Sequence, residues 1–170
     1  MNYRREDENL AVTERNPAEV DPSLIERGLK GHKKTQNRLA DLATHYGFDP
    51  RSHKPGEPNF DLAWVGNEAL FVVEVKSITP TNEEKQLRLG LGQVLRYQQV
   101  LSLRYARQNV VPVLAAERKP RDTTWSDLCK RLGVRLVWPE TMPTLFVNGG
   151  PGESHETMPG LRKTRDMGLM

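Results

Sequence analysis

The sequence predicts an α/β domain, a central mixed sheet with helices packed against it. Apolar residues recur at helical spacing in three stretches, separated by short runs rich in β-branched residues. Two of those runs are parted by little more than Gly66-Asn67, which signals a hairpin. The resulting order is helix, hairpin, helix, strand, helix, strand, and that alternation calls for a mixed sheet.

Residues 1–22 are polar, charged in both signs and contain Pro17 and Pro22, so they read as a mobile arm. Residues 148–170 are broken by Gly149, Gly150, Pro151, Gly152, Pro159 and Gly160 and read as a loosely ordered tail. The folding unit is therefore 23–147. Ser23 is placed to cap the first helix, with Glu26 completing a capping box. Leu39, Leu42, Ala43 and Tyr46 continue that helix, or a second one after Gly31, and Gly47 stops it. His45 falls where a cation favours a helix C-terminus.

Residues 50–58 are punctuated by proline and glycine, and Arg51, His53 and Lys54 there read as a solvated loop rather than a phosphate contact. Strand-like runs over 60–65 and 69–76 form the hairpin. A long helix is expected from about 81 to 107, with Leu87, Leu91, Val94, Leu101 and Tyr105 as its apolar stripe. Pro112 lies within the β-rich run 109–116, where its missing N–H calls for an edge position or a bulge. A short helix with Trp125, Leu128, Cys129 and Leu132 ends at Gly133, and 134–138 is the last strand.

At 170 residues the chain has room for one ordinary domain. Its single cysteine excludes an internal disulfide and zinc sites of the Cys₄ or Cys₂His₂ type. The longest apolar run, residues 110–116, falls far short of the roughly 20 residues of a membrane span. The N-terminus lacks the apolar stretch of a signal peptide. A soluble cytoplasmic protein with no membrane partner is expected. The net charge of +3 permits a polyanionic partner without demanding one. Aromatics, at 6 %, are too few for a stacking platform on single-stranded bases.

The hairpin carries the chemistry. With Gly66 and Asn67 as loop residues, Val65 faces Glu68 and Asp61 faces Val72. Side chains alternate with period two, so Asp61, Glu74 and Lys76 share a face. Asp61 and Glu74 become diagonal neighbours, about 7–8 Å apart at the backbone. Two carboxylates so placed repel each other, and a divalent metal bound between them reverses that penalty. Hard oxygen ligands suit Mg²⁺, and Lys76 reaches toward a water or a phosphate oxygen. An acid pair, a metal and a lysine suffice for phosphodiester hydrolysis.

On the long helix, Gln93 and Tyr97 lie one turn apart on the same side. Gly90 and Gly92 each cost about 1 kcal/mol in a helix interior, which suggests close backbone approach to the sheet or a ligand. Pro58-Asn-Phe-Asp61, Glu74-Val-Lys76 and Gln93-Val-Leu-Arg-Tyr97 together resemble the motifs of the PD-(D/E)xK nuclease superfamily, in its RecB- and Cas4-like branch. The element order is similar to that superfamily's restriction-endonuclease-like αβββαβ core, and the likeness covers most of residues 23–147. Here the proline stands three residues before Asp61, and the iron–sulfur cysteines of the Cas4-like subset are absent.

The resemblance implies a Mg²⁺- or Mn²⁺-dependent deoxyribonuclease. Asp61 and Glu74 would hold the metal and Lys76 the attacking water, while Gln93 and Tyr97 would steady the site. Gln36 is the candidate from the first helix, with Glu26 behind it. DNA is the expected substrate. Cutting both strands of a duplex with one site needs a homodimer, an accessory protein or two encounters. The rival readings are a non-catalytic DNA-binding or assembly module on the same fold, an RNA-directed nuclease, and a structural partner protein that binds through its tails. Other motifs fail: Gly90-Leu-Gly92 lacks the third glycine of a dinucleotide loop, and the four histidines show no paired metal spacing.

Overall fold

Four strands form one sheet in the order β1 (Leu62–Val65), β2 (Ala69–Lys76), β3 (Asn109–Ala116) and β4 (Arg135–Val137). The computed structural model describes residues 22–66 and 69–147, so the expected arm and tail, apart from Pro22, lie outside it. β1 and β2 are antiparallel, whereas β2 with β3 and β3 with β4 are parallel. Helix α1 (Pro22–His45) covers one face, and α2 (Glu83–Arg104) and α3 (Thr124–Arg131) cover the other. The period of two on β2 explains both layers. Val73 and Val75 pack with Leu39 and Ala43 of α1, while Val72 packs with Tyr97 and Leu101 of α2. A 3-10 turn, Met142–Leu145, follows β4, and Phe146 then enters the α1 layer.

The element order is the one expected, and the boundaries differ by a few residues. Helix α1 is continuous through Gly28 and Gly31, and it begins at Pro22, so Ser23 lies inside the first turn instead of capping it. The Glu117 carboxylate rests against Gly31, where a Cβ would lie 2.7 Å from its Oε1. Helix α2 ends at Arg104, and its start is set by an exchange between Thr79 and Asn82, whose Oδ1 accepts the Thr79 N–H at 2.6 Å. Pro112, for which an edge position or a bulge is expected, sits on β3 between β2 and β4. The ladder to β4 covers only Val113 to Ala115 of β3, so Pro112 lies beyond the part that β4 pairs.

The hairpin register also differs. Val65 pairs with Leu70, and the Gly66 N–H bonds to the Ala69 carbonyl at 2.7 Å. Residues 67 and 68 lie outside the described residues, and every partner on β2 shifts by two from the expected register. An even shift keeps the facing of the strand. Continued by one residue, the register sets Asp61 against Glu74 instead of Val72. The Asp61 N–H reaches the carbonyl of Val73, the residue already paired with Leu62, at 3.1 Å. Two residues on one strand thus oppose one on the other, a bulge that ends β1 at the aspartate.

Before the hairpin, the chain makes one further bridge. Arg51 and Ala63 exchange both backbone hydrogen bonds, at 2.8 and 2.9 Å, so the third strand of the meander shrinks to a single antiparallel pair. Arg51 does not lie in a solvated loop as expected. Its guanidinium grips the buried carboxylate of Glu57 at 2.7 and 2.9 Å and lies over the Phe60 ring. Glu57 also accepts from the Lys54 N–H and the Tyr105 hydroxyl, each at 2.7 Å. Arg51, with these donors, holds Glu57 down to a pKa of about 2. Because its folded pKa is depressed, Glu57 contributes stability above about pH 4.5 that is lost as the pH falls toward 2. That contribution is about 2–3 kcal/mol. Urea titrations at pH 7, 4 and 3 should show the wild type losing stability on acidification, and Glu57→Gln should be weaker at pH 7 with a flatter acid limb.

Candidate active site

Glu74 is 4 % exposed on the α2 face of β2, between valines, where a bare charge is costly. Two donors meet it. The Lys76 ammonium donates to Oε1 at 2.6 Å, and the Tyr97 hydroxyl donates to Oε2 at 3.1 Å. Burial pushes the Glu74 carboxyl up, the nearby Asp61 adds to the rise, and the Lys76 and Tyr97 bonds oppose it. The Tyr97 hydroxyl also lies 3.2 Å from the Asn59 carbonyl and 3.4 Å from Nε2 of Gln93, the residue one turn earlier on α2. Burial, then the Glu74 charge, pushes the tyrosine up to about 12, so its proton stays on across the neutral range.

Asp61 reaches the site from the other side of the hairpin. Its Oδ2 takes the Val75 N–H at 2.7 Å, in place of a ladder bond lost at the bulge. Its Oδ1 lies 3.2 Å from Nε2 of His32, and the bond to Asp61 raises the affinity of that imidazole for a proton. Gln36, one turn along α1, donates to the Asp61 carbonyl at 2.7 Å. Gln36 thus steadies the main chain of the aspartate and does not touch its carboxylate. Asp61, Glu74, Lys76, Gln93, Tyr97 and Gln36 all meet at this end of the sheet.

Glu26 does not join them; it is exposed on α1, and among the described residues no hydrogen bond ties it to the site. His32 is the residue that sequence reasoning missed. Its position four before Gln36 puts both on one helical face, a signal that a search for paired histidines passes over. Among the described residues, no three of the types His, Cys, Asp and Glu are gathered so as to hold a metal. Asp61 and Glu74 supply the carboxylates for one, and both are engaged by the chain's own donors.

The two glycines of α2 have different uses. A Cβ on Gly90 would lie 2.6 Å from Cδ1 of Leu114 and 2.9 Å from Cγ of Lys76, so the bare backbone is what lets the lysine stem pass between helix and sheet. Gly92 meets open space instead, and the expected close approach does not occur there.

No protein-family model matches the chain, and no curated protein matches it. Two solved structures are similar to it in shape. The protein of unknown function AF1548 is 14 % identical, with a TM-score of 0.45 over 66 % of this chain and 59 % of that one. Protein VC1899 from Vibrio cholerae is 19 % identical, with a TM-score of 0.37 over 69 % of this chain and 30 % of that one. The chain thus spans well under two thirds of either protein. Likeness this distant leaves function to the chemistry of the site.

Gly90→Ala should cost about 1–3 kcal/mol by overpacking, despite the better helix propensity of alanine. Gly92→Ala should gain about 0.5–1 kcal/mol. Urea denaturation of the two variants checks both signs. Equal effects would show that Lys76 is not confined by Gly90.

Proposed function

We propose that the protein is a metal-dependent nuclease acting on DNA, with a restriction-endonuclease-like fold. One observation carries this reading: two carboxylates, Asp61 just before β1 and Glu74 on β2, lie within electrostatic reach of each other, with a lysine amine on one of them. The donor set fits a hard divalent cation such as Mg²⁺ or Mn²⁺, since Glu74 is buried beside a second carboxylate and gains from added positive charge. Asp61 and Glu74 would hold it. When bound, such a cation supplies Lewis acidity, making water more acidic and offsetting charge that builds on phosphate.

The chain's own groups do the rest. Hydrolysis adds water across one P–O ester bond and leaves a phosphomonoester and a hydroxyl. Lys76, turning from Glu74 Oε1, donates to the attacking water or to a non-bridging oxygen as charge develops there. Tyr97 remains a neutral donor and holds Glu74 Oε2 in place, with Gln93 behind it. His32 and Gln36 fix Asp61 from α1. These supports restrict the carboxylates before substrate arrives.

A second reading has its own support. Both Glu74 oxygens are already satisfied by protein donors, as a non-catalytic DNA-binding module would need. Incubation with linear, circular and single-stranded DNA and with RNA, each with Mg²⁺, Mn²⁺ or EDTA, separates the readings. Cleavage of DNA is expected with either cation and none with EDTA. Preference for RNA would change the substrate and leave the chemistry. A wild type that binds DNA and cuts nothing with either metal would hand the case to the binding module.

Lys76→Ala should lower turnover by a factor on the order of 10² to 10³, because its charge acts chiefly in the transition state. DNA affinity should change little. Glu74→Ala should abolish cleavage and keep the fold. Rates, binding isotherms and melting curves check these outcomes, and a Lys76→Ala protein that melts early but cuts normally would make the lysine structural.

A further inference from the structure

Beyond the site, at the same end of the sheet, lies a closed ring of three side chains. The Ser77 hydroxyl donates to Oε2 of Glu117 at 2.6 Å, and Arg27 of α1 donates through one nitrogen to Ser77 at 3.0 Å and through another to Oε1 of Glu117 at 2.9 Å. Ser77 directly follows Lys76, and the Glu117 N–H bonds to the Lys76 carbonyl at 2.9 Å. Gly31 is bare where the Glu117 carboxylate rests against α1. The anchor is thus built from three elements, yet the group it orients is 44 % exposed.

Building on the nuclease reading, we propose that Arg27 binds a phosphate of the substrate strand about two nucleotides from the one cleaved. Guanidinium has five N–H donors in a fixed fork, and the ring engages one nitrogen at Ser77 and one at Glu117, so donors remain for an anion. Arg27 lies five residues before His32, about 7.5 Å along the helix axis. At about 3.4 Å of rise per nucleotide, that is roughly two nucleotides of a strand. Side chains alternate at the end of β2, so Lys76 emerges on the α2 side and Ser77, with Arg27, on the α1 side. A strand crossing this end of the sheet meets Lys76 first and Arg27 next. The charge of α1 agrees: it has five Lys and Arg residues against two acids. Among the described residues only Arg27 of the five forms an ion pair, so Lys30, Lys33, Lys34 and Arg38 leave α1 with a positive field.

The test measures binding of the full chain to a short duplex in EDTA across several salt concentrations, and cleavage in Mg²⁺ of that duplex and of bis(p-nitrophenyl) phosphate, which has one phosphodiester. Arg27→Gln should reduce the slope of log K against log salt by about one and raise KM for the duplex several-fold, with kcat much less affected. The effect should be confined to the duplex. Arg27→Lys, which keeps the charge but not the fork, should keep the slope and still bind less tightly than the wild type. If Arg27→Gln melts well below the wild type, the lysine variant decides, and wild-type affinity in it overturns the proposal. An unchanged slope in Arg27→Gln overturns it too, as does an equal loss on both substrates, which would make Arg27 a strut. A wild type that cuts neither substrate defeats the nuclease reading alone, because the salt slope still reports the contact.

Discussion

Glu74 imposes a constraint that reaches across the whole molecule. A carboxylate on the inner face of a central strand must be matched by donors, and they come from elements far apart in sequence: Lys76 on the same strand and Tyr97 on α2. Lys76 can serve only because Gly90 leaves a channel for its stem. Tyr97 can serve only because α2 lies flat on β2 and β3, with Leu87, Val94 and Leu101 buried along one stripe. The second carboxylate, Asp61, repeats the pattern with α1 on the opposite face. Both helical layers are therefore registered to one end of the sheet by polar contacts, while apolar packing secures the rest. Apolar packing tolerates small slips; hydrogen bonds to a fixed carboxylate do not.

Much of this was legible in the sequence. The order of elements and the bounds of β2 and β3 follow from period, spacing and turn residues, whereas Gln93 and Tyr97 entered the candidate site only through the resemblance that their spacing carries. The less legible parts depend on contacts remote in sequence. The pairing of the hairpin differs from the expected register by two, and an even shift leaves the facing of the strands unchanged. Gly31 allows either one helix or two by its sequence; the chain makes one, with the Glu117 carboxylate against its bare backbone. Arg51 looked like a loop cation, whereas its partner Glu57 is buried by tertiary packing that no local pattern announces. His32 escaped because its partner is a carboxylate 29 residues away.

The short third strand has a consequence for motion. Residues 48–61 cross from α1 to the hairpin with one β-bridge, at Arg51, and are otherwise held by side chains: the Arg51–Glu57 ion pair, the bonds of Arg104 and Tyr97 to the Gly56 and Asn59 carbonyls, and the buried rings of Phe48 and Phe60. Asp61 ends that crossing, while Glu74 lies deep in the four-stranded ladder. The two carboxylates of the site therefore belong to parts of the fold with unequal opening free energies. The placement of Asp61 then depends on side chains of that crossing, the Arg51–Glu57 ion pair among them, where the placement of Glu74 depends on the ladder.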